Sequence, residues 1–283
     1  MVPFYLALVC IAVNAQDISS GAHWLGGVAK SEITPKDTMW MAGYASRTGP
    51  ATAVLHSLWV KALALQDTAG KRAVLVTMDL VGIPKDLSNQ IKDRLHLLLN
   101  LDRSQIILNT SHTHSGPVLE KALFDIYPLE GDHPKLIQDY SKELVDQIVK
   151  LVENAFSQLE PVDISAANGV SRIQVNRRNN LEKKLTIQSE LQGPNDFAVP
   201  VLKISRTDGT LKALAFGYAC HPTVLDTSLW SGDYPGYAQI ELEKNYPGIT
   251  ALFFQGAGAD QNPLPRRTIP LAKQYGRTLA AAV

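Results

Sequence analysis

The chain has 283 residues, of which 45% are hydrophobic and 19% are charged. This composition is typical of a globular protein with a large apolar core, and it excludes an intrinsically disordered chain. Twenty-seven basic residues balance twenty-seven acidic residues. Because phosphate binding needs a clustered positive field, the charge argues against nucleic acid as the main partner.

The N-terminal segment is an uncharged apolar run that is too short to span a bilayer. It ends in a small-x-small sequence at 13–15, the form of a signal-peptidase site. We therefore predict a signal peptide over residues 1–15 and an exported protein, secreted or periplasmic, with a buried first strand as the alternative. Removal of the segment takes away Cys10 and leaves Cys220, so the mature chain is predicted to form no internal disulfide.

Apolar runs bounded by turn residues predict strands along the chain. They lie at 24–34, 58–66, 72–81, 162–175, 199–205, 211–219 and 250–255. Apolar residues at helical spacing predict helices at 87–99, 140–159, 236–245 and 272–283. Short turn-rich connections at 67–71 and 207–210 predict two hairpins. This mixture predicts an α/β (mixed) fold with one domain over residues 16–283.

A polar segment follows another buried strand near the middle of the chain. The strand starts at Ile106 and the segment ends at the Gly116-Pro117 break, with His112 and His114 between them. Side chains two positions apart on a strand project to the same side, so the two imidazoles are expected to share one small volume. One interpretation is a metal site, with zinc as the commonest choice for histidine ligands. The other is a pair of loop histidines bonded to backbone or water.

A second apolar strand ends in the same way, at His221. Two strand-end histidines, His112 and His221, that meet at one edge of a sheet would strengthen the metal interpretation. Cys220 precedes His221 and is expected to face away from it. We therefore interpret Cys220 as a small buried hydrophobic residue and not as a ligand.

Several other positions have both a functional and a structural interpretation. Asp79, near the end of a buried strand, orients a metal-bound histidine or caps the following helix. Asp233 is expected to cap the helix that starts at Gly236. Gly43 lets a ligand approach the backbone or belongs to a plain loop. The glycine-rich turn at 256–263 exposes N–H groups to an oxyanion or is a tight turn and nothing more.

Together these motifs resemble the neutral/alkaline ceramidase family. The element at 110–117 is the most specific of them. The others occur in the family's order: segments 27–34 and 41–44, Asn176-Arg177, His221, Ser231-Gly232-Asp233 with Gly236-Tyr237-Ala238, and segment 255–263. The likeness covers the chain from Gly26 to Pro263.

The resemblance implies a catalytic domain in which β-sheets are packed between α-helices, followed by an immunoglobulin-like domain that is absent from this sequence. It implies that His112 and His221 bind one zinc ion, with a Glu and a Tyr beyond residue 283 completing the site. His114 is implied to contact the substrate amide and Arg177 to line the pocket. The implied reaction cleaves the N-acyl bond of ceramide to give sphingosine and a fatty acid.

On the same resemblance, Gly43 and Tyr44 are assigned to substrate binding. The residues assigned to the catalytic group are His114, Arg177, Asp260 and Asn262. The family carries a serine in a Gly-Asp-x-Ser-Pro turn, and this chain departs from it at positions 259–263, where Asn262 takes the place of the serine. An amide nitrogen is not nucleophilic, so Asn262 cannot act as a serine nucleophile. It can still donate a hydrogen bond to an oxyanion.

The sequence thus predicts an exported, zinc-dependent amidohydrolase of the ceramidase type. Its predicted partner is a small-molecule lipid substrate, reached at a membrane surface, and no obligate protein partner is predicted. Two alternatives stay open: a diverged metal hydrolase that acts on another amide or ester, and a non-catalytic secreted protein that binds lipid or carbohydrate.

Overall fold

The computed structural model describes residues 23–187 and 190–283 of the chain. The strands are β1 (Trp24–Glu32), β2 (Ala53–Val54), β3 (Trp59–Gln66), β4 (Arg72–Met78), β5 (Ile106–Thr110), β6 (Glu160–Val170), β7 (Gln174–Asn176), β8 (Ala198–Arg206), β9 (Leu211–Tyr218), β10 (Leu229–Trp230), β11 (Thr250–Gln255) and β12 (Gln261–Pro263). The helices are α1 (Lys85–Leu99), α2 (His133–Ser157), α3 (Asp233–Asn245) and α4 (Ile269–Ala282).

Eight strands form one sheet in the order β11-β9-β8-β6-β1-β3-β4-β5. The neighbours are antiparallel except for the outermost pairs, β11 with β9 and β4 with β5, which are parallel. A helix connects the strands of each parallel pair, as a parallel crossover requires. The two predicted hairpins are present as β3–β4 and β8–β9. The predicted mixed α/β class is therefore confirmed.

Two pairs of helices cover separate parts of the sheet. On one side α2 packs against α1, β1 and β3, and on the other α3 packs against α4 and β11. Each helix pair encloses an apolar core with the sheet. A third apolar cluster lies among the strands themselves: Leu63, Val162, Ile204, Ala213, Ala215 and Leu252. The sheet is thus folded over on itself between two helix layers, the arrangement that the resemblance implies.

The two edge strands of the sheet meet because the sheet curls. Strand β11 lies close to β3, β4 and β5 as well as to its partner β9. The side chain of Asn109 in β5 donates to the carbonyl of Gln255 in β11 at 3.2 Å and accepts from its N–H at 2.8 Å. One amide side chain therefore takes the place of a strand pairing and joins the ends of the two edge strands.

A buried lysine joins the same two halves of the sheet further from the strand ends. Lys61 in β3 is 3% exposed, and its Nζ donates to the Ala251 carbonyl at 2.8 Å and to Glu243 at 2.7 Å. Buried charges are stable in proteins when they are paired and hydrogen-bonded, as this one is. Lys61 thereby connects β3 with β11 and with helix α3.

The strand predicted at 162–175 is interrupted. Strand β6 ends at Val170, opposite Ala198, the first residue of its partner strand β8. Strand β7 then begins at Gln174 and pairs with β12.

All four helices begin earlier than predicted, and α2 and α4 show why. Helix α2 begins at His133, with Pro134 in its first turn, where a missing N–H costs no helical hydrogen bond. Helix α4 begins at Ile269, and the hydroxyl of Thr268 caps it by accepting the N–H of Leu271. Apolar periodicity missed both starts because first turns carry capping residues and not the apolar stripe.

Within residues 23–187 and 190–283, no helix combines the length and the apolar composition that a membrane span requires. The signal peptide predicted over residues 1–15 lies outside the described residues.

The Asn109 link gives a prediction about stability. Replacing Asn109 by alanine removes both hydrogen bonds to Gln255, and we expect the free energy of unfolding in urea to fall by about 1–3 kcal/mol. Asn168→Ala, on the exposed part of β6, is the matched control and should change it by less than about 0.5 kcal/mol. Equal effects of the two substitutions would show that the edges are held together by other contacts.

Candidate metal centre

The loop after β5 carries His112 and His114. The strand ends at Thr110, and His112 has a left-handed backbone conformation with φ of 62°. The prediction that strand alternation places the two rings on one side was therefore wrong in its mechanism, because the chain has already left the strand. The outcome is nevertheless a shared volume, since the two ring centroids lie 5.2 Å apart.

His221 reaches the same place from the far end of the sheet. It follows β9, is 8% exposed, and its backbone N–H donates to the carbonyl of Gln261. Its ring centroid lies 5.0 Å from that of His112 and 5.9 Å from that of His114. One ligand atom from each ring lies within 4.8 Å of the others, so the three histidines could hold a metal ion.

Backbone carbonyls orient two of the three rings. Nδ1 of His112 lies 2.6 Å from the carbonyl oxygen of Val81, and Nδ1 of His221 lies 2.8 Å from that of Gly258. A carbonyl oxygen only accepts, so each Nδ1 carries the proton and donates it. The Nε2 atom of each ring then keeps its lone pair, which is the arrangement that a metal-binding histidine requires.

His114 differs from the other two rings. Its Nδ1 is buried without a hydrogen-bond partner among the described residues. Burial, and then the nearby rings of His112 and His221, lower the pKa of His114 to about 3, with smaller contributions from Arg47 and Arg177. His114 is therefore a neutral imidazole at pH 7.

Gly43 and Tyr44, assigned to substrate binding, lie against the His114 ring. A Cβ atom on Gly43, which has φ of +114°, would be 2.5 Å from Cγ of His114. The Tyr44 ring centroid is 4.8 Å from that of His114, and its hydroxyl donates to the carbonyl of Leu225. The space beside the Gly43 backbone is thus occupied by the side chain of His114, where the sequence predicted a ligand. Contact of either residue with substrate stays a prediction.

Asp260 belongs to the glycine-rich turn, and Arg177 lies beside it. The side-chain Nε of Arg177 donates to the Ala259 carbonyl at 2.9 Å. The backbone N–H of Arg177 donates to the Asp260 carbonyl at 2.7 Å. The Asp260 carboxylate accepts from the Asn176 amide at 2.9 Å. Burial lowers the pKa values of His114 and His221, and the positive charge of Arg177 adds a smaller effect in the same direction. These contacts give Asp260 a structural role in this turn, and a catalytic role stays a prediction.

Asn262 lies in β12, opposite Val175 of β7, and is 7% exposed. It directly follows Gln261, whose carbonyl accepts the His221 backbone N–H. Among the described residues, no hydrogen-bond partner is found for its side-chain amide. Asn262 therefore has an amide donor available, as the predicted oxyanion role requires.

The glycine-rich turn uses several of its N–H groups within the fold. Gly256 donates to Tyr218, Gly258 to Gly256, and Gln261 to Gly258. A Cβ on Gly258 would lie 2.4 Å from the backbone nitrogen of Cys220, so only glycine fits this position. These contacts favour the tight-turn interpretation for these N–H groups.

A cleft of about 370 Å³ opens beside the two carbonyl-bound histidines. It is lined by residues 108–110, His112, His221 and residues 255–259. The space therefore lies between the ends of the two edge strands, where a substrate could approach both rings.

Asp79 fills neither of the roles predicted for it. Its carboxylate accepts the N–H of Trp59 at 3.0 Å, and burial raises its pKa to about 6. The N-cap of α1 is Pro84, and the His112 ring is held by the Val81 carbonyl. Sequence reasoning missed Val81 because a backbone carbonyl carries no signal in the residue type.

The low pKa of His114 can be tested in the metal-free protein. Because the folded pKa lies below the ordinary value of about 6.5 for histidine, the unfolded chain binds this proton more readily, and protonation opposes folding as the pH falls below 6.5. We expect the His114 ring signals in NMR spectra to stay constant from pH 8 to about 5. A titration midpoint near 6.5 in the folded protein would contradict the burial of this ring.

Comparison with known proteins identifies the family of this chain. The family model for "Neutral/alkaline non-lysosomal ceramidase, N-terminal" matches residues 24–257. Neutral ceramidase from Pseudomonas aeruginosa is 26% identical over 277 residues, which cover 91% of this chain and 40% of that protein. The chain thus spans less than half the length of this relative.

Two solved structures share the fold. A crystal structure of neutral ceramidase from Pseudomonas aeruginosa gives a TM-score of 0.76 at 23% identity, over 93% of this chain and 44% of that one. A ceramidase complexed with C2 gives a TM-score of 0.76 at 22% identity, over 93% of this chain and 43% of that one. From the match of its sequence over most of its length, the chain belongs to the neutral/alkaline non-lysosomal ceramidase family, in the N-terminal region of that family.

Proposed function

We propose that this chain forms the catalytic region of a zinc-dependent hydrolase that cleaves the N-acyl amide bond of ceramide. The observation that carries the proposal is the pair His112 and His221, whose Nδ1 atoms are both held by backbone carbonyls beside the neutral His114. Membership of the ceramidase family supports the choice of substrate.

The donor set fits zinc. Zinc accepts neutral imidazole nitrogen at about 2.0–2.1 Å, usually in tetrahedral sites of four ligands. His112 and His221 supply two, and among the described residues no carboxylate or thiol joins the three-histidine cluster. The ceramidase resemblance implies a Glu and a Tyr beyond residue 283 as the remaining protein ligands. When bound, zinc supplies Lewis acidity, which polarises a carbonyl group and lowers the pKa of water.

The other residues of the site bind and orient the substrate. His114 is neutral, so it can exchange a hydrogen bond with the scissile amide without carrying charge into the site. Arg177 adds positive charge at the edge of the site, and this charge favours the oxyanion that develops during acyl transfer. Tyr44, packed on His114, limits the positions that the substrate can take.

Asn262 is proposed to donate its side-chain amide to the oxyanion. The reaction then proceeds by direct attack of water and needs no serine nucleophile. If the family serine is indispensable for cleavage of ceramide, the same site favours a diverged hydrolase that acts on another amide or ester. A non-catalytic lipid- or carbohydrate-binding protein is the remaining candidate, and Asn262 is the observation in its favour.

We also propose that the protein is exported and meets its lipid substrate at a membrane surface. The support for export is the apolar N-terminal run with its small-x-small sequence at 13–15. N-terminal sequencing of the protein from the outside of expressing cells should begin at Gln16. A mature protein that still begins at Met1 would contradict the export proposal.

The metal proposal predicts the effect of losing either ligand. We expect His112→Ala and His221→Ala, made in the full-length protein, to weaken zinc binding by about 100-fold or more, since loss of an outer-sphere partner alone costs about 10–100-fold. Fatty-acid release from an N-acyl sphingosine should fall in parallel. His23→Gln, at an exposed position, is the control.

Two outcomes would separate the candidates. Zinc binding without fatty-acid release in the unmodified protein would favour the diverged hydrolase. Lipid binding that is unaffected by chelation, with no hydrolysis of any acyl amide, would favour the binding protein.

The oxyanion role of Asn262 predicts a different pattern. Asn262→Ala removes the donor and should lower kcat by about 10²–10³ with little change in zinc content, the range found when one oxyanion donor is removed. Asn262→Ser restores the family residue and keeps a hydroxyl donor, so it should retain more activity than the alanine variant. Full activity of Asn262→Ala would rule out a role for this side chain.

A further inference from the structure

The segment Ser231-Gly232-Asp233 runs from the end of β10 to the first residue of α3, and both of its polar residues are completely buried. Asp233 has a left-handed backbone with φ of 56°, which is uncommon for a residue other than glycine. Such a conformation persists only where the surrounding structure holds it. The contacts of the segment show what holds it, because they run to both histidine-bearing loops.

The first set of contacts runs to the loop of His112 and His114. Thr113 lies between the two histidines, is fully buried, and donates its hydroxyl to the Ser231 carbonyl at 2.8 Å. The Ser231 N–H donates to the carbonyl of Ser115 at 3.1 Å. The loop is thus fixed at one residue on each side of His114.

The second set runs to the chain around His221. The Asp233 carboxylate accepts the N–H groups of Val224 at 3.2 Å and Leu225 at 2.9 Å. The next residue, Tyr234, donates its hydroxyl to the carbonyl of Cys220 at 2.7 Å. The backbone is therefore held on both sides of His221.

Sequence reasoning assigned Asp233 to a helix cap. The structure places it as the first residue of α3, with no side-chain cap at the preceding Gly232. Its carboxylate does accept the N–H of Tyr234, but two of its three hydrogen bonds leave the helix for the His221 loop. A cap alone therefore does not account for this residue.

Ser231 fixes the shape of the segment. Its hydroxyl accepts the N–H of Asp233 at 3.0 Å and lies 2.9 Å from Nε2 of His56. The His56 ring packs on Gly236, where a Cβ would lie 2.4 Å from it, and on the ring of Tyr237. Because Ser231 is fully buried and the hydroxyl of Ser231 also accepts the N–H of Asp233, we interpret this serine and the half-buried His56 as support and not as a nucleophile with its base.

We propose that Ser231-Gly232-Asp233 is a common anchor that sets the position of His112 and His114 relative to His221. Thr113 and Asp233 are then positioning residues, which act through the histidines and touch no substrate. The inference rests on the proposed function in one respect, that the rings receive a metal ion. The loop of His112 and His114 follows β5 at one edge of the sheet, and His221 follows β9 near the other edge, so a segment bonded to both loops can fix their separation.

The test uses a matched pair of substitutions at Thr113. Thr113→Val keeps the shape and removes the hydroxyl, whereas Thr113→Ser keeps the hydroxyl. Thr52→Val removes a similar hydroxyl bond, from Thr52 to the Ser228 carbonyl at an exposed position, and is the control. Asp233→Asn tests the other half of the anchor, with Asp226→Asn, at an exposed pair with Arg267, as its control.

The first measurement is the affinity of the full-length protein for Co²⁺. Binding is monitored by the visible absorption of the bound Co²⁺, at a temperature where every variant is folded. We expect Thr113→Val and Asp233→Asn to weaken binding by about 10–100-fold, the usual cost of losing a group that orients a ligand. Thr113→Ser and both controls should stay within about threefold of the unmodified protein.

The second measurement needs no metal. Spectra of ¹⁵N-histidine in the metal-free protein report whether Nδ1 of His112 and His221 carries the proton. We expect both rings to be protonated at Nδ1 in the unmodified protein, in Thr113→Ser and in the controls. We expect this single protonated form to be lost in Thr113→Val and Asp233→Asn. If Asp233→Asn does not fold, the Thr113 pair decides the question.

The outcomes for the anchor and for the proposed function are distinct. Variants that melt at lower temperature but keep the cobalt affinity and the single protonated form would show that the segment is only structural, and would overturn the anchor. An unmodified protein that binds no Co²⁺ would contradict the metal proposal, while the histidine spectra would still decide whether the anchor holds the rings.

Discussion

The structure depends on the closure of its sheet, which brings two edge strands together although they lie at opposite ends of the strand order. Asn109 joins these strands through two hydrogen bonds to the backbone of Gln255, and Lys61 joins the same halves within the core. Without this closure, His112 and His221 would stand at opposite ends of an open sheet. With it, their ring centroids are 5.0 Å apart.

Closure alone brings the rings close but does not prepare them for a metal. That preparation comes from the backbone, because the carbonyls of Val81 and Gly258 receive the Nδ1 protons and leave the Nε2 lone pairs free. His114 has no such partner and is kept neutral by burial. Three histidines in one cluster are thereby divided into two that suit a metal ion and one that suits an uncharged substrate group.

Much of this arrangement could be predicted from the sequence. Apolar strands that end in His112 and His221 have a clear signal, because strand periodicity and the polar break after it are local properties.

The sequence gives no comparable signal for Asn109, Thr113 and Asp233, since their contacts depend on which strand edges meet. Asp79 was misjudged for the same reason: it lies near the end of a buried strand, yet its carboxylate accepts a hydrogen bond from the N–H of Trp59. Strand alternation could not predict the positive φ of His112 either, because this residue lies after the end of the strand.

We propose that His112 and His221 hold one zinc ion through their Nε2 atoms. The most direct test is a crystal structure of the full-length, zinc-loaded protein with diffraction data collected at the zinc absorption edge. One anomalous peak is expected at about 2.0–2.1 Å from Nε2 of each ring. A peak bound to only one of these rings, or a zinc ion held elsewhere while the two Nε2 atoms remain free, would contradict it.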